Sequence, residues 1–451
     1  GRSAGRRCDC RPEPAAEPPD GECSIGGSAL SMDIHDTRGR SEGAIVSVLP
    51  ERAHDLARLR ALAGQRGRPV VTVVGKYNHG KSRLLNELIG TNAFAVADRR
   101  ETVALSARVH EQVRWLDAPG LDADVASGDD EHAHRAVWLE SDIRLFVHAA
   151  KEGELDARER ALLQALRDDG ERTRRQTLFV LSQVDQLADE AAQRKVTAAI
   201  EAQAPGLAWL AVSSTRHRQG VDGAKKLLLE KSGILALKTV LAQALARVPT
   251  ARAHEAALLL GEMRGQLQRL CAERQDALAG LRQQQAQQRT RFDQDLAAVL
   301  GQVGGDIQAV LEVPGSDRSQ TPDSFADQFK MTPGKLERNR LQVAYSKACI
   351  KIGAILTKHG AMDLPPAQQT QVRSLDSVMV AVLGVSVKYR KDLQRLFCEA
   401  AGRDGLAQDF TRYFELSADR QALAARIGQA RSDAQAAERA MAALAVLEAG
   451  A

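Results

Sequence analysis

Three features of this sequence predict an α/β domain, with a mainly parallel sheet and helices on both faces, followed by an elongated all-α helical stalk or bundle. A β-branched run, Pro69-Val70-Val71-Thr72-Val73-Val74, leads directly into Gly75-Lys76-Tyr77-Asn78-His79-Gly80-Lys81-Ser82. Strand-like and helix-like segments then alternate to about residue 212. From about residue 224 the strand signal is gone, and Ala, Leu, Gln and Arg accumulate as they do in long helices.

Taken in order, residues 44–63 carry apolar positions at helical spacing, broken at Pro50, and Gly64 with Gly67-Arg68-Pro69 stops the helix. The run 69–74 has the length and branching of a buried parallel strand. Lys81 to Ile89 continues as a helix closed by Gly90. Strand-like stretches at 103–110 and 112–116 precede the turn Asp117-Ala118-Pro119-Gly120. Helices over about 130–140, 154–168 and 187–203 then alternate with strands at 143–147, 177–181 and 208–212. The second half reads as one very long helix or two abutting ones over 235–312, interrupted at Gly301, Gly304 and Gly305. A continuous helix of ~75 residues would rise ~110 Å. A linker around 314–333 leads to helices over about 334–359, 366–400 and 406–448, whose apolar stripes are buried by lying antiparallel.

Composition narrows the classes. At 451 residues and 44% apolar content the chain can build two or three cores. A net charge of +4 with 27% charged residues of mixed sign gives no electrostatic reason to expect a nucleic-acid partner. Residues 1–31 hold Cys8, Cys10 and Cys23, contain no apolar run of signal-peptide length, and read as a disordered extension upstream of Met32. Cys8-x-Cys10 lacks a second ligand pair for zinc, so reduced thiols in a soluble, cytoplasmic protein are expected. No segment reaches the roughly 18 continuous apolar residues of a membrane span. Val378 to Val387, followed by Lys388, Arg390 and Lys391, admits two readings: an apolar tip entering one leaflet, or a buried helix segment, which its length favours.

The chemistry is carried by four motifs. Strand, then G-x-x-x-x-G-K-S, then helix is the arrangement that wraps a phosphate chain: glycines allow the tight turn, and backbone N–H groups and a helix dipole face the anion. Gly75, Tyr77, Asn78, His79, Gly80, Lys81, Ser82 and Arg83 are the candidate nucleotide contacts; Lys81 reaches the β- and γ-phosphates and the Ser82 hydroxyl binds Mg²⁺. Asp117 is placed to hold Mg²⁺, and the Gly120 N–H to bond the γ-phosphate. Thr102 is the candidate that completes the Mg²⁺ shell from a mobile segment, the other reading being a threonine that opens a strand. Ser182-Gln183-Val184-Asp185 stands where a guanine-reading Asn-Lys-x-Asp would: Asp185 accepts from the base N1 and N2 hydrogens, while Ser182 and Gln183 depart from the pattern and leave ATP open. Ser213 and Ser214 follow the last strand, where a backbone N–H meets the guanine oxygen. His132 and His134 beside Asp129, Asp130 and Glu131 read as an acidic helix start rather than a metal site.

These residues, in this order, resemble a GTPase of the translation-factor-related P-loop class, using GTP as substrate with Mg²⁺. The loop and the following Leu84-Leu85-Asn86-Glu87-Leu88-Ile89-Gly90 resemble both the bacterial dynamin-like and the Era-like groups. A helix before the domain, a long helical region after it, and Leu121 in place of a glutamine after Gly120 favour the dynamin-like group. That resemblance implies a neck, with 44–63 packing against part of 406–448, and catalysis helped by Asn78 across a homodimer or homo-oligomer formed through the G domain, often at a membrane surface. The expected division is a tail at 1–40, the neck helix at 41–68, a P-loop GTPase domain at 69–232 and the helical stalk at 233–451. An Era-like regulatory switch and a helical scaffold with a nearly static nucleotide are the alternatives.

Overall fold

The computed structural model describes residues 37–64, 67–94, 106–118, 134–362 and 389–450. It separates into two compact units, one running to Arg264 and taking up the segment from Ala440, the other Gly265–Arg439. Thr102, Pro119, Gly120, Leu121, His132, the three N-terminal cysteines and the apolar stretch 378–387 lie outside the described residues.

The first unit is built on a six-stranded sheet in the order β2-β3-β1-β4-β5-β6, with β1 at Val70–Val74, β2 at Ser106–His110, β3 at Val113–Asp117, β4 at Ile143–Ala149, β5 at Gln176–Ser182 and β6 at Trp209–Ala211. All neighbours are parallel except β2 and β3, a hairpin turned at Glu111 and Gln112, both at positive φ. The ladder aligns Val73 with Asp117, Val74 with Phe146, and Ala149 with Ser182. The loop after β1, Asp117 and the end of β5 therefore meet at one edge of the sheet, where an open parallel sheet binds its ligand.

Alternation along the strands assigns the two faces. Val71, Val73, Leu145 and Val147 pack with Leu84, Leu85 and Leu88 of the helix Lys81–Ile89 and with Ile234, Leu237, Leu241, Ala244 and Val248. Val74, Phe146, Phe179 and Leu181 pack with Leu163 and Leu166 of the helix Ala157–Thr173 and with Ile200 of Glu190–Gln203. Before the sheet, helix 37–46, the short turn Pro50–Arg52 and the helix Ala53–Gly64 replace the broken helix read over 44–63. The helix expected over 130–140 is described from residue 134 and is π-wound at Arg135–Glu140. Its widened turn turns the Trp138 and Leu139 carbonyls toward Arg175 and Arg58, which donate to them at 2.8 and 2.7 Å.

The helix Ile234–Leu311 is continuous, so the expected interruption at Gly301, Gly304 and Gly305 does not occur. Gly304 instead permits a close crossing, since a Cβ there would lie 2.8 Å from the Phe397 carbonyl oxygen. It is the one described helix long and apolar enough to cross a membrane, with a mean hydropathy of 1.2 over 18 residues. Its first turns, from Ile234 to Val248, are core of the first unit.

In the second unit Phe292, Leu296, Val299, Val303 and Ile307 recur at helical spacing against Leu341, Tyr345, Ile352 and Leu356 of the helix Pro333–Lys358. Leu406, Phe410, Tyr413 and Phe414 of Ala400–Leu416 close this core, with Phe414 stacked on Phe292 at 4.2 Å. The helix expected from 406 starts at Ala400, and the break falls at buried Ser417, whose extended backbone separates Ala400–Leu416 from Ala418–Ala449. Within that helix position 402 is glycine because a Cβ there would meet the Arg395 carbonyl oxygen at 2.0 Å.

Candidate nucleotide-binding site

The loop after β1 takes its shape from three backbone positions in the left-handed half of φ space. Gly75 has φ 155°, and a Cβ there would sit 2.2 Å from the Val147 carbonyl oxygen, so no other residue fits. Asn78 and Gly80, at φ 58° and 81°, turn the chain into the N-terminus of Lys81–Ile89. A phosphate is favoured there by successive backbone N–H groups and by the helix dipole. Lys81, largely buried, donates from Nζ to the Lys76 carbonyl at 2.8 Å, which lays its ammonium across the loop. Tyr77 contributes a buried hydroxyl with no hydrogen-bond partner among the described residues, and Arg83 is exposed.

Ser82 and Asp117 face each other across the loop's edge, the hydroxyl donating to Asp117 Oδ2 at 2.5 Å. Burial pushes the Asp117 carboxyl above the usual range, more than the Ser82 hydrogen bond and the Lys81 charge pull it down. Its Oδ1 is buried with no hydrogen-bond partner among the described residues. A divalent cation would satisfy that oxygen and favour the ionised carboxylate, so the hydroxyl–carboxylate pair fits Mg²⁺.

The base-reading segment is turned differently from the sequence expectation. Ser182 is buried and donates to the His79 carbonyl at 2.6 Å, while Gln183 Nε2 donates to the Asn78 carbonyl at 2.6 Å. Both side chains thus tie the end of β5 to the phosphate loop. Asp185, in the turn Val184–Gln186, is half-buried, and its carboxylate engages no described residue. Ser213 caps the helix Ser214–Asp222 by accepting from Arg216 N at 3.0 Å; its strand-end neighbour Val212 donates to the Leu181 carbonyl and accepts from Val184 N, the residue before Asp185. His134 lies edge-on to His54 at 5.7 Å.

Several site-shaping residues had no signal in the loop motif. Glu87 on the loop's helix accepts from His217 Nδ1 at 2.6 Å and Arg218 Nε at 3.0 Å, fixing the helix after Ser213. Asn86 pairs with both backbone groups of Phe94, anchoring the start of the segment that leads to Thr102. Beneath the loop, His79, His148 and Glu159 are all buried and bring one ligand atom each within 4.8 Å of one another. That is a zinc-like donor set. Yet His148 has Nδ1 at 2.8 Å from Glu159 Oε1 and Nε2 at 3.1 Å from the Gly153 carbonyl, both acceptors, and Lys76 Nζ lies 3.4 Å from Glu159. Protons and an ammonium, rather than a metal, already answer this carboxylate.

Fold and loop together define a P-loop GTPase domain. Residues 70–183 match the family described as 50S ribosome-binding GTPase. An uncharacterized protein of Acinetobacter baylyi is 49% identical over 407 residues, which cover 90% of this chain and 97% of that one, and the chain belongs to its family. GTPase Era of Bordetella petrii is 28% identical over 155 residues, 33% of this chain and 51% of the Era chain, so only about half of that relative is spanned. Among solved structures, Era in complex with MgGDPNP and a 16S ribosomal RNA segment is 23% identical over 36% of this chain and 55% of that one, at a TM-score of 0.29. An oligomerised bacterial dynamin pair is 14% identical over 95% of this chain and 74% of that one, at 0.35.

Proposed function

We propose that this protein is a dynamin-like GTPase, which hydrolyses GTP with Mg²⁺ and couples pairing of its G domains to movement of its helical region, working from the cytoplasm and at a membrane surface. One observation carries the coupling. Arg58 of the helix before the sheet donates to the Leu139 carbonyl at 2.7 Å and grips Glu255 of the long helix with Nε and Nη2, at 2.9 and 2.8 Å. The segment after Asp117 that ends at Leu139, the helix before the domain and the root of the long helix thus share one buried guanidinium. A rearrangement in that segment on loss of the γ-phosphate would pull on both helices.

In the chemical step, Lys81 neutralises charge on the β- and γ-phosphates, and Asp185 selects guanine through the N1 and N2 hydrogens. Ser82 and Asp117, with Thr102, would hold Mg²⁺, which spreads the charge developing on the phosphate oxygens. Gly120 supplies a backbone N–H to the γ-phosphate. With Leu121 where a water-orienting glutamine would stand, in-line attack relies on a group supplied by G-domain pairing, with Asn78 at the loop tip as the candidate. Catalysis is then positional and electrostatic.

A second reading, an Era-like switch in assembly of a protein or ribonucleoprotein complex, is favoured by the curated relatives matched over the G domain, which are GTPases named Era. GTP turnover measured against protein concentration, with and without anionic liposomes and beside an ATP series, separates the two. Turnover per molecule that climbs with concentration, for GTP alone, is expected. Flat, slow turnover favours the switch, and equal use of ATP removes Asp185 as a selector.

A further inference from the structure

The loop's conformation has a foundation beneath it, on the helix Ala157–Thr173 and β4. Glu159 is fully buried in the first turn of Ala157–Thr173, within a capping box in which Asp156 accepts from Glu159 N and Glu159 Oε2 accepts from Asp156 N. The same carboxylate faces three more groups. His148 Nδ1 on β4 lies 2.8 Å from Oε1, His79 Nδ1 of the loop lies 3.6 Å from that oxygen, and Lys76 Nζ of the loop lies 3.4 Å from Oε2. Lys76 also reaches Asp156 at 2.6 Å, and His79 reaches the Val147 carbonyl at 3.2 Å. Two of the four residues between Gly75 and Gly80 are thereby pinned to one carboxylate from below, on either side of Asn78 and its left-handed backbone. Above, Ser182 and Gln183 hold the His79 and Asn78 carbonyls.

We propose that Glu159 is a positioning residue of the phosphate site: with His148 and Asp156 it holds Lys76 and His79, and through them keeps the loop in its phosphate-binding shape. This rests on the reading that the loop binds a nucleoside triphosphate. A left-handed Asn78 is uphill for a side-chain-bearing residue, so the loop stays poised only while its flanks are fixed. The sign of the effect separates positioning from simple electrostatics. Removing a carboxylate beneath a site for a polyanion should by Coulomb's law tighten binding. Weaker binding runs against that sign and points to the loop's geometry.

The test is equilibrium titration of wild type and Glu159→Gln with GTP and with GDP, in Mg²⁺, reading Kd and stoichiometry, followed by KM and kcat for GTP. Losing a charge-assisted bond set should raise Kd roughly tenfold at unchanged stoichiometry, with KM rising by a larger factor than kcat falls. A purely structural defect would lower stoichiometry and leave Kd alone, and that result overturns the proposal, as does a Kd equal to or below wild type. Asp156→Asn, which keeps a capping side chain at a partly exposed position, tests the same link should the first variant not fold; its Kd should rise about twofold to threefold. A Kd for this variant at or below wild type would overturn the proposal as well. Wild-type protein that bound neither nucleotide would instead remove the functional reading beneath it.

Discussion

Strands β4 and β5 carry ionic groups at both ends, and the two ends are built on different plans. At their starts, Arg144 and Arg175 meet Asp169 at 2.7 and 2.9 Å, Arg58 meets Glu255, and Arg252 donates from Nε to Asp142 at 2.8 Å. These partners come from distant parts of the chain, and guanidiniums outnumber carboxylates: burial first, then the charge of Arg175, pushes Arg144 down to about 10. At their far ends, one carboxylate, two imidazoles and two P-loop carbonyls support a loop with strained backbone. The first end holds position by buried ion pairs that share carboxylates, two of them bidentate; the second holds a conformation through contacts converging on one carboxylate and two carbonyls.

The largest effect that would break this comparison belongs to the first end. Glu255→Ala leaves Arg58 and Arg175 buried without their shared carboxylate, and should cost about 3–5 kcal/mol in chemical denaturation. A loss under about 1 kcal/mol would mean the remaining carboxylates suffice and the first end is not a unit.

Asp117→Asn sharpens the contrast, because function and stability should move in opposite directions. A carboxyl held above its usual range by burial destabilises the fold when ionised, so the amide should stabilise the nucleotide-free protein. Mg²⁺-dependent GTP affinity should fall at least tenfold in the same variant. Thermal melts with and without Mg²⁺-GTP measure both; a destabilised free protein would show that Ser82's bond outweighs desolvation.

The smallest effect is a pH dependence at the loop. Burial, reinforced by the charges of His148 and Lys81, holds His79 below its ordinary 6.5, against the pull of Val147 and Glu159. The unfolded chain takes up a proton where the folded one does not. Stability should therefore fall as pH drops below about 6.5, by at most about 1.4 kcal/mol per unit, until the depressed folded value is reached. His79→Val should remove that slope between pH 7 and 5.5 in denaturation curves, while a slope unchanged by the substitution would assign the titration elsewhere.

The strand–loop–helix core was legible because its signals are local: β-branched β1, glycines where φ is positive, and a lysine and serine opening a helix. The roles of Ser182 and Gln183 were not, because their position suggested the base, whereas the fold folds the loop's carbonyls back onto them. His148 and Glu159 are invisible to motif reading; they lie 69 and 80 residues beyond His79, and only the parallel order of β1 and β4 makes them neighbours. The glycines at 301, 304 and 305 suggested a break because helix propensity was read without the chain that crosses at Phe397.

The first turns of the long helix carry a consequence for how such proteins diversify. Ile234, Leu237, Leu241, Ala244 and Val248 complete the apolar layer over β1 and β4. The nucleotide-binding domain is therefore not a cassette: recombination that transplanted the six strands and their loops without this helix would carry an unfinished hydrophobic face into its new host.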